Sequence, residues 1–178
     1  MKKIALGLAA LTAAATPAFA QDEAAPFNGG HITAIVGYDI LDLNTSGVDN
    51  PNGLVYGAAV GYDFQRGNVL FGIEGEVTGS TSKVEVGNVT AAKAGRDLYA
   101  GGRIGYVLGQ TAVYGKVGYT KARVDTPLCD ENGDGIRLGA GVEHKFTSKL
   151  FLKGEYRYSN YEGDVSRHQI VGGVGVRF

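Results

Sequence analysis

The sequence predicts an all-β fold, an eight-stranded antiparallel up-and-down transmembrane β-barrel. Three observations carry that prediction. After its first 20 residues the chain alternates apolar and polar positions in segments of about ten residues, the length of a tilted membrane-crossing strand. Long and short connections, rich in turn residues, alternate between these segments. The apolar face of the segments has aromatics toward both ends, and the opposite face carries the charges. Helical periodicity is absent from this part of the chain.

The opening stretch is predicted to be removed. Lys2 and Lys3 give a positive start, Ile4 to Ala15 is a short apolar run, and Ala18-Phe19-Ala20 is an Ala-x-Ala cleavage pattern after the breaker Thr16-Pro17. The run is shorter than the about 20 apolar residues of a transmembrane helix. The expected organisation is a signal peptide over 1–20, a polar periplasmic leader over 21–29 and a barrel over 30–178. Removing Lys2 and Lys3 leaves 15 basic against 18 acidic residues, a net charge of −3, which excludes a nucleic-acid binder driven by positive charge. The single cysteine, Cys129, has no internal disulfide partner and is expected to be a free thiol in a loop. Twenty-nine Gly against four Pro is an unusual balance, which suits a curved sheet with a crowded interior.

The first strand is His31–Ile40, where Ile32, Ala34, Val36, Tyr38 and Ile40 oppose His31, Thr33, Ile35, Gly37 and Asp39. After a turn-rich loop, Leu54–Phe64 sets Leu54, Tyr56, Ala58, Val60, Tyr62 and Phe64 against Val55, Gly57, Ala59, Gly61 and Asp63. A short turn at Gln65-Arg66-Gly67-Asn68 leads to Val69–Thr78, with Phe71, Ile73 and Val77 opposing Glu74 and Glu76. The longest loop is expected over Gly79–Gly95. Asp97–Leu108 then sets Leu98, Ala100, Ile104 and Tyr106 against Asp97, Tyr99 and Arg103, and Gly109-Gln110 turns the chain. Ala112–Ala122 has Val113, Val117 and Tyr119 opposing Tyr114, Lys116 and Thr120, before a loop over Arg123–Asp134. Gly135–Phe146 sets Ile136, Leu138, Ala140, Val142 and Phe146 against Arg137, Glu143 and Lys145. Leu150–Ser159 sets Leu150, Leu152, Tyr156 and Tyr158 against Lys153, Glu155 and Arg157. The last strand, Gln169–Phe178, ends the chain on an aromatic: Ile170, Val174, Val176 and Phe178 share one face, and Gln169 and Arg177 the other.

Closing eight strands removes the sheet edges that lipid forbids. A soluble barrel would point the apolar face inward. Aromatic placement favours the inverse: Tyr62, Phe64, Phe71, Tyr106, Phe146 and Phe178 fall at one end of the apolar face, and Tyr38, Tyr56, Tyr119, Tyr156 and Tyr158 toward the other. Two aromatic belts around an aliphatic band form a membrane-interface pattern.

Certain stretches also resemble a family. Gly72-Ile73-Glu74-Gly75, Arg103-Ile104-Gly105-Tyr106, Gly139-Ala140-Gly141-Val142-Glu143-His144, Gly154-Glu155-Tyr156-Arg157-Tyr158 and the Arg177-Phe178 ending are similar, in that order, to small outer-membrane barrels grouped with the OmpA transmembrane domain and the opacity-type porins. The resemblance spans the chain after residue 20. It implies a Gram-negative outer membrane, lipid neighbours, periplasmic chaperones, and barrel-assembly machinery that reads the last strand through Val174, Val176 and Phe178. It implies no single activity.

The inward face is expected to hold a charge network of Glu74, Glu76, Arg103, Lys116, Arg137, Glu143, Glu155 and Arg157, with Lys145, Lys153 and Arg177 on the same face. Buried charges must pair, so Glu74, Glu143 and Glu155 are expected to meet Arg103, Lys116, Arg137 and Arg157 across the lumen. Inward glycines, among them Gly139 and Gly141, leave room for these side chains. A plugged lumen is the leading reading and a narrow gated ion path the alternative. Asp130-Glu131-Asn132-Gly133-Asp134-Gly135 imitates the start of a calcium loop, but Gly141 stands where the closing Glu belongs, so an EF-hand is excluded; a polar turn is expected, with a weak surface calcium site as the alternative. His144 and His168 are expected to face outward at headgroup level, with no Ser beside His168 on its face, and His31 to be a hydrogen-bonded inward residue. Neither an enzyme nor a cofactor is expected. Exposed loops over Gly79–Gly95 and Arg123–Asp134 make surface recognition the main alternative to a structural role.

Overall fold

Every strand pairing among the described residues is antiparallel, and the last strand returns to the first. The computed structural model describes residues 25–42, 52–81, 83–86, 89–125, 130–161 and 165–178. The expected signal peptide, residues 21–24 of the leader and Cys129 lie outside these residues. The strands are β1 (Gly29–Asp42), β2 (Asn52–Arg66), β3 (Val69–Ser80), β4 (Lys83–Val86), β5 (Val89–Leu108), β6 (Thr111–Asp125), β7 (Asp130–Lys145), β8 (Leu150–Tyr161) and β9 (Val165–Arg177). β1 pairs β2, β2 pairs β3, and each consecutive pair from β4 to β9 is joined; β9 pairs β1, and β3 pairs β5 rather than β4. The result is a closed barrel of eight strands, as the alternation predicts, with β4 as a short hairpin partner of β5 beyond the ring.

Alternation fixes the orientation of each strand. Along β8 every second residue from Phe151 to Tyr161 is buried, while Leu150, Leu152, Gly154 and Tyr156 are exposed. Both aromatic belts lie on the exterior: Phe64 pairs Phe71 and Tyr62 pairs Ile73 at one end, and Val36 pairs Tyr56 near the other. Phe64, Phe71 and Phe178 are 59%, 49% and 60% exposed, a surface stable only against lipid. Two short turns at this end place Gly67 and Gly109 at φ values of 58° and 64°, the left-handed conformation that two-residue hairpins require. At the third, Thr147 Oγ1 accepts the Leu150 amide at 2.9 Å.

The other end differs from expectation. Strand pairing occupies much of the two expected loops: β3 runs to Ser80, β4 and β5 pair from Val86↔Val89, and β6 pairs β7 up to Asp125↔Asp130. β5 is 20 residues long, well beyond the about 9–11 needed to cross a bilayer. β-Branched Val84, Val86, Val89 and Thr90 support extended backbone there, but without a long apolar face the segment carries no lipid-strand signature. The Asp130–Asp134 stretch is therefore part of β7 and not a turn, with Lys121↔Asp134 in register. An extended strand does not curl around an ion as a calcium loop does.

Candidate functional site

The lumen is the place where the sequence concentrates chemistry, and it is filled. Successive inward positions come alternately from the two sets of strands, so side chains stack in levels along the axis.

At the level nearer the short turns, four residues close a ring. Asp63 on β2 accepts both donors of one guanidinium edge of Arg103 on β5, Nε to Oδ1 at 2.8 Å and Nη2 to Oδ2. Arg103 Nη1 lies 3.2 Å from Glu143 Oε2 on β7. Arg177 of β9 donates Nη2 to Glu143 Oε1 at 2.7 Å and Nη1 to Asp63 Oδ2 at 2.8 Å. Acid and base alternate around this ring. Arginine is suited to it, because its planar fork can bond two carboxylates at once.

The next level is centred on Lys116 of β6. Its Nζ lies 3.0 Å from Glu74, 2.5 Å from Glu76 and 2.7 Å from Glu155. Those three carboxylates converge closely enough to hold a metal ion, but the ammonium group already sits among them. Lys153 Nζ bonds Glu74 Oε2 at 2.9 Å, and the Tyr114 hydroxyl donates to Glu155 at 2.7 Å. Arg157 continues the chain by bonding Glu155 through Nε and Glu76 through Nη2 at 2.8 Å. Added Cβ atoms at Gly139 and Gly141 would come within 3.0 Å of Lys116 Cγ and 2.8 Å of Tyr114 Oη, so these glycines do provide side-chain room.

Toward the extended end, Asp97 is the hub. Its carboxylate accepts Thr120 Oγ1 at 2.6 Å, Tyr161 Oη at 3.0 Å, Arg167 Nη1 at 3.1 Å and Arg137 Nη2. Arg137 reaches back to Glu76 at 3.5 Å and bonds Ser159 through Nε at 2.8 Å. Arg167 also forms a two-pronged pair with Asp39, which accepts the Ser80 hydroxyl at 2.7 Å. The middle and extended-end pairs thus form one continuous chain, to which the four-residue ring has no direct ion pair among the described residues.

All eight expected network residues are buried and face the lumen. Their pairing is only partly as expected. Arg137 meets Glu76 and Asp97, not Glu74, Glu143 or Glu155, because the stagger between strands sets its height. Asp39, Asp63 and Asp97 have inward parity in the sequence but were not expected as hubs. Arg167 was missed because the last strand begins at Val165, before the expected start; inward parity with Gln169 was the available signal. Val174, Val176 and Phe178 are exposed on the exterior, and Gly30 and Phe178 exchange two backbone hydrogen bonds of 2.9 Å across the closing seam.

His31 is buried as expected, but neither ring nitrogen has a hydrogen-bond partner; Nε2 lies 3.4 Å from Asp63 Oδ2. His144 and His168 face outward beside Phe146 and Tyr156, respectively, with His168 Nδ1 2.6 Å from Tyr156 Oη. A serine does share the face of His168: Ser166, two residues earlier in β9, whose hydroxyl lies 3.2 Å from Tyr158 Oη.

Residues 6–178 match the family model described as outer membrane protein beta-barrel domain. The chain is 28% identical to a 25 kDa outer-membrane immunogenic protein of Brucella ovis over 199 aligned positions, covering 100% of this chain and 98% of that one. It is 31% identical to a 22 kDa outer membrane protein of Rhizobium leguminosarum bv. viciae over 136 positions, covering 66% and 63% respectively. Among solved structures, Neisserial surface protein A superposes with a TM-score of 0.59 at 18% identity, over 85% of this chain and 98% of that one. The attachment invasion locus protein of Yersinia pestis gives 0.56 at 16%, over 85% and 99%. At these identities the two structures show a common fold.

Proposed function

The chain belongs to the outer-membrane β-barrel protein family, and from that premise we propose that it serves the envelope as a closed, non-conducting barrel. It resides in the outer membrane. The observation that carries the proposal is the lumen: among the described residues, seven buried carboxylates (Asp39, Asp63, Glu74, Glu76, Asp97, Glu143, Glu155) face eight buried cations (Arg103, Lys116, Arg137, Lys145, Lys153, Arg157, Arg167, Arg177). Paired charges at this density leave no continuous water path to conduct ions. Single-channel recording of the purified barrel in a planar bilayer tests this, with a silent trace expected; a stable unitary current would establish the porin alternative. No catalytic step is assigned to the chain. Export by cleavage after Ala20 accords with the leader pattern, and the mass of the mature protein checks it.

Val174, Val176 and Phe178 serve as the assembly signal, recognised with the help of periplasmic chaperones and the barrel-assembly machinery. The exposed face of these residues and the seam at Gly30 support that role. Phe178→Ala is expected to lower the fraction of heat-modifiable, folded protein in membranes more than shortening the β4–β5 hairpin does; equal folding of both variants argues against the signal.

Surface recognition is the second reading, supported by the continuation of β4, β5, β6 and β7 beyond the barrel. The relatives named as immunogenic and the neighbour named for attachment accord with exposed function. Shortening these strands separates the readings: loss of surface binding with an intact envelope favours recognition, and the reverse favours structure.

A further inference from the structure

We infer that Pro26-Phe27 is a built-in stopper that seals the periplasmic mouth of the barrel. The leader does not simply precede β1. Ala25–Asn28 forms a tight turn, with the Asn28 amide donating to the Ala25 carbonyl at 3.1 Å, and Pro26 sits where such turns favour proline. The turn points the Phe27 ring into the lumen, where it is 0% exposed and clusters with Leu70, Val107 and Ala112. An aromatic residue from an expected polar leader, buried inside a barrel whose interior is otherwise mainly polar, needs a cause.

The surrounding strands are built to receive it. The Phe27 amide donates to Gln65 Oε1 at 2.8 Å, and its carbonyl accepts Arg177 Nη1 at 2.7 Å. Lys145, the buried cation for which no carboxylate partner occurs among the described residues, donates instead to the Pro26 carbonyl. Lys145 Nζ and Arg177 Cζ lie 5.8 Å and 5.5 Å from the Phe27 ring centroid, within cation–π range. Contacts thus come from β2, β3, β5, β6, β7 and β9, so the receiving site is complete only once the barrel has closed. Gly29, at φ 117°, turns the chain from the stopper into β1. The stopper covers the Asp63–Arg103–Glu143–Arg177 ring and shares Arg177 with it. By excluding water from that end it keeps the ring in a low-dielectric setting, where its pairs are strongest.

The closed-lumen proposal concerns conduction, whereas this inference concerns where residue 27 sits, so each can fail alone. The sequence has no Trp, so Phe27→Trp creates a single reporter. In the mature barrel refolded in lipid nanodiscs, a blue-shifted emission is expected, with little quenching by acrylamide or by brominated acyl chains. Water-like emission, or quenching by the brominated lipid, overturns the stopper. A second measurement uses Ala112→Cys with Cys129→Ser and a polar maleimide. Labelling is expected to be slow, about tenfold or more faster with Phe27→Gly, and slow again with Phe27→Leu. An unchanged rate with Phe27→Gly, in a barrel that remains heat-modifiable, overturns it.

Discussion

In the half of the lumen nearer the short turns two acids and two arginines alternate around a closed ring; in the opposite half one carboxylate, Asp97, gathers Arg137, Arg167, Thr120 and Tyr161. The difference lies in how charge is shared. Loss of Asp63 leaves Glu143 as the one carboxylate partner of Arg103 and Arg177 among the described residues, because the ring has no direct ion pair to its neighbours there. Loss of Asp97 still leaves Arg137 with Glu76 and Arg167 with Asp39. An isolated ring concentrates an imbalance, and a connected chain spreads it. Breaking a buried pair is costly because the remaining partner stays desolvated.

That contrast orders the expected losses. Asp63→Asn should be the most damaging, by about 3–5 kcal/mol, measured by urea unfolding of the barrel in lipid vesicles. Lys116→Met should follow at about 2–4 kcal/mol, since Glu74, Glu76 and Glu155 then converge without their central cation but keep Lys153 and Arg157. Asp97→Asn should cost about 1–3 kcal/mol, as the amide retains an acceptor and both arginines retain acids. A loss equal to that of Asp63→Asn would show that the two halves do not differ as argued. Lys121→Ala breaks only an exposed 3.7 Å pair with Asp134 and should change stability by less than about 0.5 kcal/mol. A larger effect would mean that the sheet extension formed by β4–β7 supports the barrel directly.

Residues whose role follows from local parity were legible in advance. Glu74 and Glu76 alternate with Ile73 and Val77, so they face the lumen whatever they pair with. Phe178 ends an apolar face and emerges on the exterior. Arg137 shows where parity stops: its side of the sheet is evident, but its choice of Asp97 depends on the relative height of β5 and β7, which are not neighbours. Phe27 carries no periodic signal, because a turn and not a strand places it. The β4–β5 hairpin was missed because a strand with no apolar face long enough to meet lipid resembles a polar loop.

The sequence by itself therefore determined the number of barrel strands, the inward and outward faces, and the belts that mark the bilayer. A period of two and the chemistry of each side chain act locally and require no partner. Only the tertiary structure decided that Asp63 completes a ring, that Lys116 fills the space among three carboxylates, and that Phe27 enters the mouth. These arrangements depend on the stagger at which eight strands close and on residues distant in sequence meeting across the lumen.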